Sequence, residues 1–226
     1  MKPHCKLISG LASVLMIFGM AHFTGSALAD PDPPATEKQE SKTETGKKFD
    51  HPTEQLQLYL DAFHYVKNKP AMQMEVHHYC GVVNPDLTQC ALYDKNTKNA
   101  HLIGIEYVIS DKLYNQLSAT EKNFWHPHPY EIKSGQLIAP ELSGSEEHTL
   151  MNKLYRTHGK TWHLWDPMQK KLPVGNPDLM WSFTKDGQLK ASLLTQRDKR
   201  FGISSPQKKS ARADIPMQAK AAHTKK

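Results

Sequence analysis

Hydrophobic and polar positions along this chain change period several times, so the pattern predicts short elements of mixed type. After Pro52-Thr53, Leu56, Tyr59, Leu60 and Phe63 recur at three- and four-residue spacing, which predicts a first helix that Pro70 ends. From Gln73 to Cys80 the period becomes two. Met74, Val76, His78 and Cys80 share one face and Gln73, Glu75, His77 and Tyr79 the other, as in a half-buried strand. Asn84-Pro85-Asp86 supplies turn chemistry, and Cys90 to Asp94 reads as the returning strand of a hairpin. Leu102 to Ser110 is the most strand-like run, with Ile103, Ile105, Tyr107 and Ile109 on one apolar face. Ser110-Asp111 caps a predicted short helix through Leu117, and Ser118 to Glu121 has capping-box spacing for a second. Two strands are expected around a Lys133-Ser134-Gly135 turn that runs to Pro140. A helix is expected from Glu146 to Thr157 with Gly159 as its C-terminal cap. Strands are then predicted over 160–166 and 179–184, followed by a Lys185-Asp186-Gly187 turn and a last strand through Leu193-Leu194.

Such a series, without regular βαβ spacing, predicts an α+β fold: a single domain of antiparallel hairpins with several short helices. The domain covers residues 49–205, a length of 157 residues that can bury a sizeable core. Ahead of it, Lys2 and Lys6, an apolar stretch from Leu11 to Ala21 and the triplet Ala27-Leu28-Ala29 predict that residues 1–29 are a signal peptide cut near Ala29. That reading places the mature protein in the periplasm or outside the cell. Residues 30–48 hold no large apolar side chain and are expected to be a disordered linker.

Charge sharpens this partition. Residues 206–226 carry Lys208, Lys209, Arg212, Lys220, Lys225 and Lys226 against Asp214 alone and are expected to be a basic disordered tail. The net charge of +6 lies outside the domain, which is itself neutral. A nucleic-acid-binding domain carries its basic patch on the fold, so no nucleic-acid partner is expected. The tail is instead a candidate for contact with lipid or an anionic envelope surface.

Two sets of residues could carry chemistry. Cys80 and Cys90 face each other across the hairpin, and in an exported protein a disulfide is the expectation. A Cys/His metal site with His77 or His78 is the alternative, although the cysteine spacing is longer than in common zinc-ligand pairs. The chain has thirteen histidines, and eight of them lie between His77 and His163. In extended backbone His126 and His128 of the segment WHPHPYE project to one side, with Glu131 on the opposite parity unless the chain bends. Neutral imidazoles with a nearby carboxylate suit a divalent transition metal such as zinc. His78, His126, His128, Glu131 and His163 are the candidate ligands. The competing structural explanation is half-buried histidines satisfied locally and stacked on Trp125 and Tyr130. Glu75, Glu106 and Glu131 are candidate acids or bases if buried. No Gly-x-Ser-x-Gly elbow and no glycine-rich phosphate loop occurs.

Read together, MEVHHYC, QCALYD, NAHLIGIEYVIS, FWHPHPYEIKSGQLIAP, GKTWHLW, LPVGNPDLMWSFTKDGQ and RDKRFGIS resemble the oil body-associated protein family of plants and its fungal and bacterial relatives, over about residues 56–204. The resemblance implies a domain of uncharacterised biochemistry and, in plants, a link to seed lipid bodies. It also implies cysteines kept in cytoplasmic members, which weakens the disulfide expectation and lifts the metal alternative slightly, with the Cys80–Cys90 disulfide still the expectation. The sequence as a whole therefore predicts an exported, lipid- or envelope-associated non-enzymatic protein, with a histidine-rich metal-binding protein or metal-dependent enzyme as the alternative.

Overall fold

In the computed structural model the described residues are 51–216; the expected signal peptide, the linker and residues 217–226 lie outside them. Antiparallel strands β1 (Leu58–Val66), β2 (Lys69–Asn84), β3 (Leu87–Tyr93) and β4 (Leu102–Ser110) form a meander. Strand β6 (Thr157–His163) then pairs with β4 along its whole length and with β7 (Asp178–Trp181), which returns to β1. The sheet thus closes into a barrel, and closure leaves these strands few open edges. A two-residue strand, β5 (His126–Pro127), pairs with the start of β6. The α+β expectation holds, with closure of the sheet added to it.

Several local expectations give way for identifiable reasons. The predicted first helix is a 3-10 turn at Pro52–Gln55 followed by β1. Leu60 and Ala62 pack into the barrel core while Tyr59 and Phe63 are buried as well, so β1 shows no polar alternation and its apolar residues mimic a helical stripe. The two strands expected around Lys133-Ser134-Gly135 are replaced by α3 (Pro129–Lys133), after the short helices α1 (Asp111–Gln116) and α2 (Ala119–Lys122). Ser110 and Ser118 cap α1 and α2 as their positions predict. The helix α4 runs Gly144–Leu154, and Gly159 lies inside β6 instead of capping it. The last predicted strand is a helix, α5 (Ala191–Phe201), closed by Gly202 at φ 63°.

The core joins the barrel residues Leu60, Val76, Leu92 and the bonded Cys80–Cys90 pair to Ile132, Leu137, Met151, Tyr155 and Ile215. The two cysteines sit directly opposite each other on β2 and β3, so the disulfide staples neighbouring strands within the core.

Two buried arginines tie the later segments to this core. Arg197 of α5 pairs with Asp61 at 3.2 Å and donates to the carbonyls of Gly135 and Gln136 and to Ser205 Oγ. Arg212 donates to the carbonyls of Ile132 and Leu137 and pairs with Glu147 at 3.1 Å. The expected disordered tail therefore starts as folded chain. Residues Ser205–Ala211 form α6, Lys208 pairs with Glu147, and Lys209 with Asp186.

Removing one partner of a buried ion pair strands the other, at a cost of about 3–5 kcal/mol. Arg197→Ala is expected to lower stability by about that amount in urea unfolding; a loss within the ±0.5 kcal/mol usual at surface positions would contradict the assigned role.

Candidate metal centre

The barrel interior is not wholly apolar. Glu106 of β4, 3% exposed, points inward on the same face as Val108, whereas Ile105 and Tyr107 of the expected apolar face are 39% and 41% exposed, because closure of the barrel turns the alternate residues of β4 inward. Its partners across the ladder are Cys90 and Thr161, both buried. Four imidazoles converge on its carboxylate from four other places in the fold. His78 Nε2, from β2, is 3.0 Å from Oε2, and His64 Nε2, from β1, is 3.8 Å from it. His126 Nε2, from β5, is 3.4 Å from Oε1, and His128 Nε2, at the start of α3, is 3.5 Å from it.

The chain's local turns produce this convergence. His128 leaves extended backbone for helical dihedrals (φ −90°, ψ −15°), and Pro129 begins α3. The bend brings Glu131, which extended parity would send away, to 3.7 Å from His128. Gly159 is required where β6 passes the site. A Cβ there would lie 2.0 Å from Glu106 Oε1 and 2.7 Å from His126 Nε2.

Outer contacts orient three of the rings. Nδ1 of His78 meets the Val76 carbonyl at 3.1 Å, that of His128 meets Thr157 Oγ1 at 2.7 Å, and that of His64 meets His163 Nε2 at 3.4 Å. Each of these rings therefore presents Nε2 to Glu106, the arrangement seen when histidines ligate metals. A cavity of about 20 Å³ beside them, bordered by His64, His78, Glu106, His128 and Glu131, holds one water-sized particle.

Burial works to raise the Glu106 carboxyl, but His126, His128 and His78 outweigh it and hold the group well below the ordinary carboxylate range. Burial pushes His64 well below the imidazole range and His163 down to about 3, and lowers His128. Burial and the charge of Glu106 together raise Glu131 well above the carboxylate range. Near neutral pH the interior thus combines an anionic Glu106 with neutral imidazoles at His64, His128 and His163.

These donors fit a small cation. Two ligands at 2.0–2.1 Å from a tetrahedral zinc stand about 3.3–3.4 Å apart, close to the separations of His126 and His128 from Glu106. Among the described residues, two groups have ligand atoms all within 4.8 Å of one another at this place: His64, Glu106 and His126, and His126, His128 and Glu131. A third such group, Asp61, Glu75 and His77, lies elsewhere. Arg197 and Arg200 already pair with its two carboxylates, so it reads as an ion-pair network.

The family model described as "Protein of unknown function (DUF1264)" matches residues 50–216. Oil body-associated protein 1B of Arabidopsis thaliana is 39% identical over 163 residues, which is 72% of this chain and 68% of the relative. The chain belongs to the oil body-associated protein family. Oil body-associated protein 1A of Zea mays is 36% identical over 72% of this chain and 68% of its own length. For oil body-associated protein 2A of Arabidopsis thaliana the values are 38%, 73% and 68%. No solved structure matches the chain.

In this oil body-associated family member, the structure brings four of the five candidate ligands, His78, His126, His128 and Glu131, around Glu106. The fifth, His163, stands behind His64. The stacking on Trp125 and Tyr130 that would have explained the histidines otherwise is replaced by burial against one another and Glu106. His64 is masked in the sequence because its segment reads as helical. Its signal is the inward row Leu60, Ala62, His64, which appears once β1 is taken as a strand. His77 and His158 turn elsewhere, to Asp61 and to Asp111 and Tyr114.

Two predictions follow from this geometry. Gly159→Ala forces Glu106 or His126 to move and is expected to cost about 1–3 kcal/mol, the usual range for overpacking. Gly144→Ala, where a methyl meets nothing within 4 Å, is the control; equal stability of the two variants in urea would contradict the packing.

The second prediction concerns pH. His64, His77, His128, His158 and His163 all have lowered values in the fold, so below about pH 6.5 the unfolded chain binds more protons than the native one. Their stabilisation is complete above that pH and drains away on acidification. Asp61, Glu75 and Glu131 are raised and act in the opposite sense, but they are fewer. Metal-free protein is therefore expected to lose roughly 2 kcal/mol per pH unit between pH 6 and 4.5. A urea midpoint that is flat or rises on acidification would contradict this.

Proposed function

We propose that this protein binds a divalent first-row metal inside its barrel, on Glu106 and the surrounding imidazoles. The observation that supports this most directly is the approach of four histidine Nε2 atoms to within 3.0–3.8 Å of one buried carboxylate. Imidazole with carboxylate suits zinc, copper, iron or nickel. When bound, such an ion supplies Lewis acidity and, for copper or iron, redox chemistry. The protein's own residues orient the ligands through Val76, Thr157 and His163 and keep bulk water from the centre. His163 also borders a cleft of about 230 Å³ with Val66, Met72, Met74 and Met180. Export, as read from residues 1–29, would keep the Cys80–Cys90 bond in an oxidising compartment where it persists.

Elemental analysis of protein purified without a histidine tag tests the reading. Metal is expected in stoichiometric amount in the native chain, with at least a tenfold loss in His126→Ala and His128→Ala. A folded chain that neither retains nor takes up metal would overturn it.

A second reading, contact with a lipid surface, draws on the names of the relatives and on one surface feature. The connection from β6 to β7 exposes Met168 (90%), Leu172 (65%) and Val174 (58%) beside Lys170 and Lys171. Apolar tips flanked by lysines suit the interface of an anionic membrane. This loop is better placed for that contact than the first part of the basic end, where Lys208, Lys209 and Arg212 have acidic partners. Anionic liposomes are expected to sediment the protein, and Met168→Asp with Leu172→Asp to weaken binding at least tenfold. Binding unchanged by the double substitution, or absent at low salt, would remove this reading.

A further inference from the structure

One histidine of the cluster differs from its neighbours. His64, His78 and His128 each have an outer partner at Nδ1, and this leaves a single nitrogen to face the centre. His126 is 0% exposed, yet neither Nδ1 nor Nε2 has a hydrogen-bond partner among the described residues. A buried ring nitrogen without a hydrogen-bond partner forfeits the interaction that nearly every buried polar group keeps. A histidine that ligates one metal ordinarily anchors its second nitrogen. His126 approaches Glu106 through Nε2 but has no hydrogen-bonded anchor at Nδ1, and it is the residue common to the two possible ligand groups, His64 with Glu106 and His128 with Glu131.

We infer that the centre takes two cations, with His126 as the ligand between them: one ion on His64, Glu106 and His126, the other on His126, His128 and Glu131. The inference rests on the metal-binding reading above and adds the count and the bridge. Nε2 of His126 faces Glu106 Oε1 at 3.4 Å and would serve the first ion; Nδ1, buried and without a hydrogen-bond partner among the described residues, is the nitrogen that remains for the second. Bridging requires the ring to release its remaining N–H proton to solvent, and Glu131 releases its carboxyl proton as it becomes a ligand. The four positive charges of two divalent ions then meet three negative ones, on Glu106, Glu131 and the His126 imidazolate. Gly159 keeps room for this ring, since a Cβ there would lie 2.7 Å from both Cε1 and Nε2 of His126. The class of ligand is a pair of divalent ions that bind imidazole strongly, copper and zinc foremost.

The test is a Cu²⁺ titration of the untagged, metal-free full-length chain, with bound copper counted after gel filtration and the copper EPR signal integrated. Two ions per chain are expected. The EPR intensity should rise to the first equivalent and fall well below two isolated ions at the second, because an imidazolate bridge couples the two spins. His126→Asn is expected to abolish that coupling. One ion per chain with full intensity overturns the two-ion centre and leaves the metal reading standing. Two ions with the full intensity of isolated spins overturn the bridge. No bound copper overturns both readings. The wild-type measurement decides the matter even if the variant fails to fold.

Discussion

A carboxylate inside a closed barrel is the constraint around which the rest of this structure is arranged. An unpaired ionised group in such a place costs several kcal/mol, so the fold must either neutralise Glu106 or surround it with donors. It surrounds it. Four strands or strand ends and the first turn of α3 contribute side chains to one position, and β6 gives up a side chain at Gly159 to let them meet. The apolar interior, with Leu60, Val76, Leu92 and the disulfide, supplies the low-dielectric surroundings that make each of these contacts matter.

The outside of the barrel meets a similar demand with different chemistry. Asp61 shares β1 with His64 but takes part in the network on Arg197. Arg197 and Arg212 then satisfy carbonyls from Ile132 to Leu137, the end of α3 and the turn after it, in the same stretch of chain as His128 and Glu131. The two arginines thus hold in place the chain that carries two site residues. They reach the site through backbone, at some distance from the histidines themselves.

Much of this was legible in the sequence, for physical reasons that differ from residue to residue. The two-fold period of β2 put His78 on the inward face, and the prolines of WHPHP marked His126 and His128 as a pair. Glu106 stood out as a charge in the most apolar strand. His64 was hidden because β1 is buried on both sides, which removes the polar half of the alternation. Gly159 looked like a cap because it follows α4, and only the three-dimensional neighbour explains it. Arg212 reads as part of a basic tail and Arg197 carries no signal of its own, since nothing in a linear pattern tells a buried, paired guanidinium from a solvated one.

The relatives in Arabidopsis and maize are named for oil bodies, and the barrel interior offers a chemistry that those names do not mention. The two are compatible in one molecule, because the histidine centre lies within the barrel and the apolar loop tip lies on its surface. The most direct test of the metal centre is an anomalous difference map from a crystal of the metal-loaded protein, recorded on both sides of the metal's absorption edge. A peak inside the barrel, about 2.0–2.2 Å from a carboxylate oxygen of Glu106 and a ring nitrogen of His126, is the predicted result. Anomalous peaks confined to surface histidines, with none in the barrel, would contradict it.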